Sequence, residues 1–279
     1  MDQVLAASKP SDWRVLDPQN TLYLRLPQGR VVIELAPQFA PKTVANIKTL
    51  VREKYFDGLD VLRVQDNYVA QWGDPNADDA ARRRSLGKAS AKVPAEFEIA
   101  PGKDFTFTPL PDRDGWAPQS GFAYGFPAAM DLKTHQAWLT HCYGTIGVGR
   151  DVAADSGNGA ELYAVIASSA RWLDRNITVA GRVVQGMEFL SSLPRGHGDL
   201  GFYTKTEHPV PIKSVRLASD LPAKERSNLE VLRTDTPTFA ALVESRRNRH
   251  DEWYKVPAGY IDVCSVPLPV RTVGTAAAK

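Results

Sequence analysis

A chain of 279 residues with 43% hydrophobic and 24% charged side chains is long enough to bury a sizeable core and has the balance of an ordinary globular protein. Its 34 basic and 32 acidic residues leave a net charge of +2, so no global field draws it to nucleic acid or an acidic membrane, and no window reaches the ~18 apolar residues of a spanning helix. Cys142 and Cys264 are far apart with no CxxC or Cys/His spacing for zinc; a disulfide and two separate buried thiols both remain open.

Residues 1–19 read as a loose arm anchored by Trp13. Thr21–Leu26 and Arg30–Leu35, joined by Pro27-Gln28-Gly29, form a predicted hairpin. Pro41 suits the first turn of a helix, where a missing N–H costs nothing, and Val44, Ile47, Leu50 and Val51 give that helix an apolar stripe ending near Gly58. Two short strands follow, one carrying Arg63 and one, Tyr68–Trp72, carrying Gln71. Residues 76–140, rich in Pro, Gly, Asp and aromatics, show no sustained period and read as a long excursion in which only Val93–Ile99 looks strand-like. Strands are predicted again at residues 143–149 and 162–166, then at Ile177–Val184 with a break at Gly181. A short helix over Gly186–Leu193 and a closing strand over Val210–Leu217 complete the pattern. Beyond Ser219 the chain turns charged and helical, with Phe239, Leu242 and Val243 as its apolar stripe, and ends in extended, proline-bearing segments.

Arg63 is the residue that stands out. An arginine in a strand is ordinarily an edge charge or one half of a salt bridge. Here Tyr68, Gln71, Tyr163 and Trp172 fall on neighbouring strands and turns, and together they suit an apolar slot with a few directed donors, which is the character of a peptide side-chain site. Other motifs fail on context. Residues 196–201 spell GxGxxG, but they follow a helix and open none. The basic runs at Arg82–Arg84 and Arg246–His250 read as solvated faces, and the scattered histidines offer no metal spacing.

Taken together, Gly29–Leu35, Pro41–Asn46, Tyr55-Phe56-Asp57-Gly58, Arg63-Val64, Asn67–Gln71, Gly73-Asp74, Asn158-Gly159, Tyr163, Trp172-Leu173-Asp174 and Gly181–Met187 follow one another in an order that resembles the cyclophilins, over about residues 20–218. The resemblance implies a mainly β fold, a closed eight-stranded antiparallel barrel capped by two helices, here with a C-terminal helical and extended addition. It implies peptidyl-prolyl cis/trans isomerase activity on proline-containing polypeptides, with Arg63 as the catalytic group. Tyr68, Val69, Gln71, Glu161, Leu162, Tyr163, Trp172 and Ile177 would be the substrate-binding set. Neither cofactor nor metal is implied, since bond rotation transfers no atom. A cyclophilin-like module that binds proline peptides without useful turnover is the competing expectation.

Departures from the family pattern are Val61-Leu62 before the arginine, tyrosines at 68 and 163, Val69, Trp72, Glu161 and Ile177. They predict altered activity or selectivity and weakened binding of cyclosporin, with Val61-Leu62 and Trp72 as its main source. Three regions are expected: an arm (1–19), an isomerase domain (20–218, with the 76–140 insertion) and an extension (219–279) that packs on the barrel or serves as an interaction arm. Leu5-Ala6-Ala7-Ser8 before a polar arm suits a processed end, so a bacterial periplasmic location is expected, with the cytoplasm as the alternative.

Overall fold

The predicted hairpin forms as strands Thr21–Arg25 and Arg30–Leu35, and it begins a nine-stranded antiparallel sheet. In spatial order the strands are Val210–Pro211, Asp60–Val64, Val69–Gly73, Leu162–Val165, Thr145–Val148, Val179–Gln185, Arg30–Leu35, Thr21–Arg25 and Ser214–Leu217. This is a curled half-barrel of nine strands, not the closed eight-stranded barrel expected. The reason lies in the segment predicted as a single closing strand. Pro211 has no N–H to give to a ladder, and the segment divides into two short strands at opposite edges, one on Asp60–Val64 and one on Thr21–Arg25. The two residues between them bond to either side: Ile212 exchanges backbone bonds with Gly58 and Leu59, and Lys213 donates to Arg25.

Inside the curl, alternate residues of the strands pack into one apolar core that includes Leu22, Leu24, Ile33, Val61, Val64, Ala70, Trp72, Leu162 and Ala164. The helix Pro41–Arg52 closes this core with Val44, Ile47, Leu50 and Val51, and Pro41 sits in its first turn as predicted. Its N-cap, Ala40, has no side chain to offer. The carboxylate of Glu96 serves instead, accepting the N–H groups of Lys42 and Thr43 at 3.0 and 2.8 Å, where the helix dipole favours an anion. Val93–Ile99 therefore forms no strand; it is a cap delivered from a distant segment. Gly181 does not break its strand either. The strand runs through it as Val179–Gln185, and a Cβ there would overlap the Glu34 carbonyl oxygen of the adjacent strand.

The computed structural model describes residues 1–274 and divides into two units, of which the nine-stranded sheet, residues 17–99 and 140–226, is one. The other gathers residues 1–16, 100–139 and 227–274, so parts of the arm, the excursion and the tail meet in one body. Its strand Leu229–Leu232 lies between Trp13–Val15 and Val270–Thr272. Trp13 is buried there, with the Arg271 guanidinium 3.9 Å from its ring centre. A four-stranded meander, Phe107–Pro109, Gln119–Ala123, Phe126–Asp131 and Gln136–Leu139, supplies Phe122, which meets Phe239 of the helix Pro237–Arg247 edge to face at 4.9 Å. Arg247 is no solvated charge, for it makes a bidentate pair with Asp112, and Arg84 likewise donates to the carbonyls of Tyr55 and Asp57. Residues 275–279 of the predicted extension lie outside the described part. Among the described residues no helix is long and apolar enough to cross a membrane.

Candidate active site

Strand Asp60–Val64 pairs with Val69–Gly73, but the register slips by one residue: Val61 faces Trp72 and Arg63 already faces Gln71. Such a bulge places two successive residues on the same side of a strand and re-aims a side chain. Val61 and Val64 point into the core, while Leu62 and Arg63 between them are half-exposed. Regular alternation would have sent Arg63 inward with Val61. Because of the slip it stands on the outer face, in a row that continues through Gln71 and Tyr163 to Gly147 across four strands.

Arg63 is held on several sides. Its Nε donates to the Leu200 carbonyl at 2.6 Å, one terminal nitrogen donates to Gln71 Oε1 at 3.1 Å, and the other donates to Gln65 Oε1. The guanidinium carbon lies 5.2 Å from the centre of the Tyr68 ring and 5.5 Å from that of Phe202, distances at which aromatic faces attract a cation. Burial pulls the guanidinium's pKa down, and its electrostatic interactions with Tyr68 and Glu161 oppose this; an arginine remains protonated throughout. Leu200 itself is in the left-handed region, with φ 54°, which a leucine adopts only where its surroundings require it. The segment 196–203, spelled like a phosphate loop, is instead a strap beside Arg63: Gly196 donates to Val64 O and Tyr203 to Leu62 O, both at 3.0 Å.

Gln71 is buried, and chemistry assigns its amide. Arginine only donates, so Oε1 faces Arg63; a carboxylate only accepts, so Nε2 faces Glu161 Oε1. Beside this chain of polar groups lies an apolar cluster of Val69, Tyr163, Val165, Ala167 and Ala170, with Tyr68, Leu173 and Ile177 packed against it. Trp172, 53% exposed, stacks on Tyr68 with ring centres 5.9 Å apart. Of the residues singled out from the sequence, the structure thus brings together Arg63, Tyr68, Val69, Gln71, Glu161, Tyr163, Trp172 and Ile177.

Leu162 is the exception. The pleat turns it away from Tyr163 into the core, and Leu173 stands in the apolar cluster in its place. Val61 and Trp72 are corrected in the same way. They pair with one another and are 0% and 1% exposed in the core, so neither shapes the outer face from which changed selectivity was expected to arise. Leu200, Phe202 and Gln65 were not singled out from the sequence, and Leu173 only as part of the matched block Trp172-Leu173-Asp174. Leu200 lies in the GxGxxG spelling set aside on context, Phe202 just after it, and Gln65 and Leu173 are ordinary turn and turn-helix residues.

Residues 21–217 match the family model described as cyclophilin type peptidyl-prolyl cis-trans isomerase/CLD. The chain belongs to the cyclophilins. A probable peptidyl-prolyl cis-trans isomerase of Brucella suis is 30% identical to it over 186 residues, 64% of this chain and 74% of that one. Peptidyl-prolyl cis-trans isomerase-like 1 of Homo sapiens is 24% identical over 222 residues, 78% of this chain and 99% of its own. The crystal structure of a cyclophilin from Hirschia baltica matches with a TM-score of 0.74 at 28% identity and covers 94% of each chain, so that likeness extends beyond the family segment. As a cyclophilin, this protein is a peptidyl-prolyl cis/trans isomerase.

In this cyclophilin the residue beside Gln71 is an acid. Burial pushes the Glu161 carboxyl above its usual range, with the hydrogen bond from Gln71 acting in the opposite direction. A carboxyl whose folded pKa is raised costs nothing while protonated in both states and destabilises the fold as pH rises through the raised value. Glu161→Gln, which keeps an acceptor for Gln71, is therefore expected to raise the melting temperature at about pH 7.5, with the gain shrinking below roughly pH 4, where folded and unfolded carboxyls are both protonated. Thermal unfolding of both proteins at the two pH values checks this; a pH-independent difference contradicts it.

Proposed function

We propose that Arg63 accelerates X–Pro rotation by donating to the prolyl nitrogen as the amide loses its conjugation. The barrier is about 18–20 kcal/mol because resonance holds the peptide planar, and each ~1.36 kcal/mol removed is a tenfold gain in rate. At the planar ground state the prolyl nitrogen has no lone pair to offer; at the twisted state it has one. A donor placed there binds the transition state and not the substrate, which is what catalysis requires.

The observation that carries this reading is the way Arg63 is held. Three of its N–H groups are engaged by Leu200, Gln71 and Gln65, which leaves two of the five a guanidinium carries on a cation that is already oriented. Little reorganisation is then needed when the nitrogen becomes basic. In the same reading, the proline ring enters the cluster of Val69, Tyr163, Leu173 and Ile177, while Gln71, aligned by Glu161, meets the peptide backbone. The Trp172 indole, exposed at the rim, would donate to a substrate carbonyl. Proline-containing segments of flexible or unfolded chains are the substrates such an open outer face suits, and assistance to protein folding is the role we assign.

Arg63→Ala is expected to lower kcat/KM by roughly 10²–10³-fold, the usual cost of losing a preorganised donor. Arg63→Lys should recover little, because an ammonium has only three N–H donors on one atom, and engaging the three acceptors would leave none for the prolyl nitrogen. A proline-isomerisation assay on a short X–Pro peptide measures both; equal rates for wild type and Arg63→Ala would sink the assignment and favour a binding module.

We also propose an oxidising compartment, the bacterial periplasm, as the site of action. Both cysteines are in the disulfide form and none is free, a state that persists in oxidising surroundings and is rare in reducing cytosol. Thiols in protein taken directly from cells and denatured in an alkylating reagent should be absent. Full alkylation of Cys142 and Cys264 would place the protein in the cytoplasm instead.

A further inference from the structure

Behind the apolar cluster lies a buried polar relay that isomerisation, as described above, does not use. His141 is fully buried and Arg171 nearly so, with Asp174 between them. Asp174 Oδ1 accepts the backbone N–H of His141 at 2.9 Å and lies 3.0 Å from the ring Nδ1, while Oδ2 accepts the Nε–H of Arg171. A carboxylate offers no proton, so Nδ1 carries a hydrogen, and in the Nδ1–H tautomer of an imidazole Nε2 is the acceptor. That nitrogen lies 3.0 Å from the Tyr163 hydroxyl, which therefore donates to it. Burial pushes the Tyr163 phenol well above its usual range, so the proton this bond needs stays on the oxygen.

The ring is confined elsewhere too. Tyr163 faces Gly147 on the adjacent strand, and a Cβ on that glycine would overlap the phenol. The remaining surface of the ring joins Val69, Val165, Ala167 and Ala170. Two apolar side chains at 141 and 163 would fill the same space with no polar atoms to satisfy. A complete buried network instead ties the ring to one geometry, because any departure leaves a polar group unpaired in low dielectric.

We propose that His141, oriented by Asp174, is a positioning residue for the proline pocket: by accepting the Tyr163 O–H it fixes the ring that floors the pocket, and so governs how tightly an X–Pro substrate is held. This rests on the assignment of that pocket to the proline ring. The relay touches neither the rotating bond nor Arg63, so its effect falls on KM and leaves kcat nearly unchanged.

The test is a double-mutant cycle on the full chain with a short X–Pro peptide, read alongside the imidazole ¹⁵N spectrum of the wild type. His141→Leu is expected to raise KM roughly three- to tenfold, the weight of one hydrogen bond, with little change in kcat. In the Tyr163→Phe background the same substitution should add nothing. His141→Gln, whose amide can donate to Asp174 and accept from Tyr163, should restore most of the loss. The wild-type spectrum should show His141 protonated at Nδ1 alone. An equal loss from His141→Leu in both backgrounds overturns the proposal, as does a wild-type ring protonated at Nε2, a result that holds even if His141→Leu does not fold. Arg63→Ala separates the two levels. If it leaves the rate unchanged, the reading of the whole site fails; if the rate depends on Arg63 but the cycle is additive, the relay alone fails.

Discussion

Arg63 reaches the outer face of its sheet only because the ladder between Asp60–Val64 and Val69–Gly73 slips by one residue. A strand has a period of two, so a slip of one exchanges inside for outside. Without it the guanidinium would enter an apolar core closed by the helix Pro41–Arg52, where an unpaired charge is intolerable. With it, arginine, glutamine and tyrosine line up across neighbouring strands, and the site proposed for the peptide bond is built on that row.

A cation on an open face would be only a surface charge, solvated and mobile. Here it is kept in place by neutral acceptors and aromatic faces rather than by a carboxylate in direct contact. An acid acts at one remove: Glu161 accepts from Gln71, and Gln71 turns its oxygen to Arg63. A carboxylate paired directly would satisfy the guanidinium and compete with a weakly basic prolyl nitrogen. An amide interposed between them orients the charge without neutralising it. On the other side of Gln71 the same logic recurs in buried form, where Asp174 orients His141 and His141 holds Tyr163. Two carboxylates thus act through intermediaries on the two halves of the site, one on the donor and one on the pocket.

Much of the outer face was legible in the sequence because its residue types are out of place in strands. A charge, an amide and large phenols within a few positions of one another signal a site, and their order matched a known family. Side assignment was less legible. Parity counted along Leu162–Val165 shows that Leu162 and Tyr163 cannot both face the pocket, whereas no count along residues 60–64 reveals a bulge. Val61 was misread for that reason, whereas Trp72, next to Gln71 on a regular strand, was open to the same parity count as Leu162. The relay was less legible still: Tyr163 and Asp174 were marked by the family pattern, but nothing linked them to His141, which comes from a separate segment and reads alone as an ordinary buried residue. The second unit was hidden by brevity: the four strands between Phe107 and Leu139 run three to six residues, too short to establish a period amid so many turn residues. Likewise Val93–Ile99 has strand-forming letters, yet its glutamate serves a helix N-terminus far away in the chain.

The central claim is that one outer-face row grips proline and strains its amide. A crystal structure of the protein with an X–Pro peptide tests this most directly. The account predicts the prolyl ring among Val69, Tyr163, Leu173 and Ile177, with a free N–H of Arg63 aimed at the prolyl nitrogen and the bonds from Arg63 to Leu200 and Gln71 unchanged. A peptide seated elsewhere, or one bound here with its proline outside that cluster and Arg63 turned away to solvent, would contradict it.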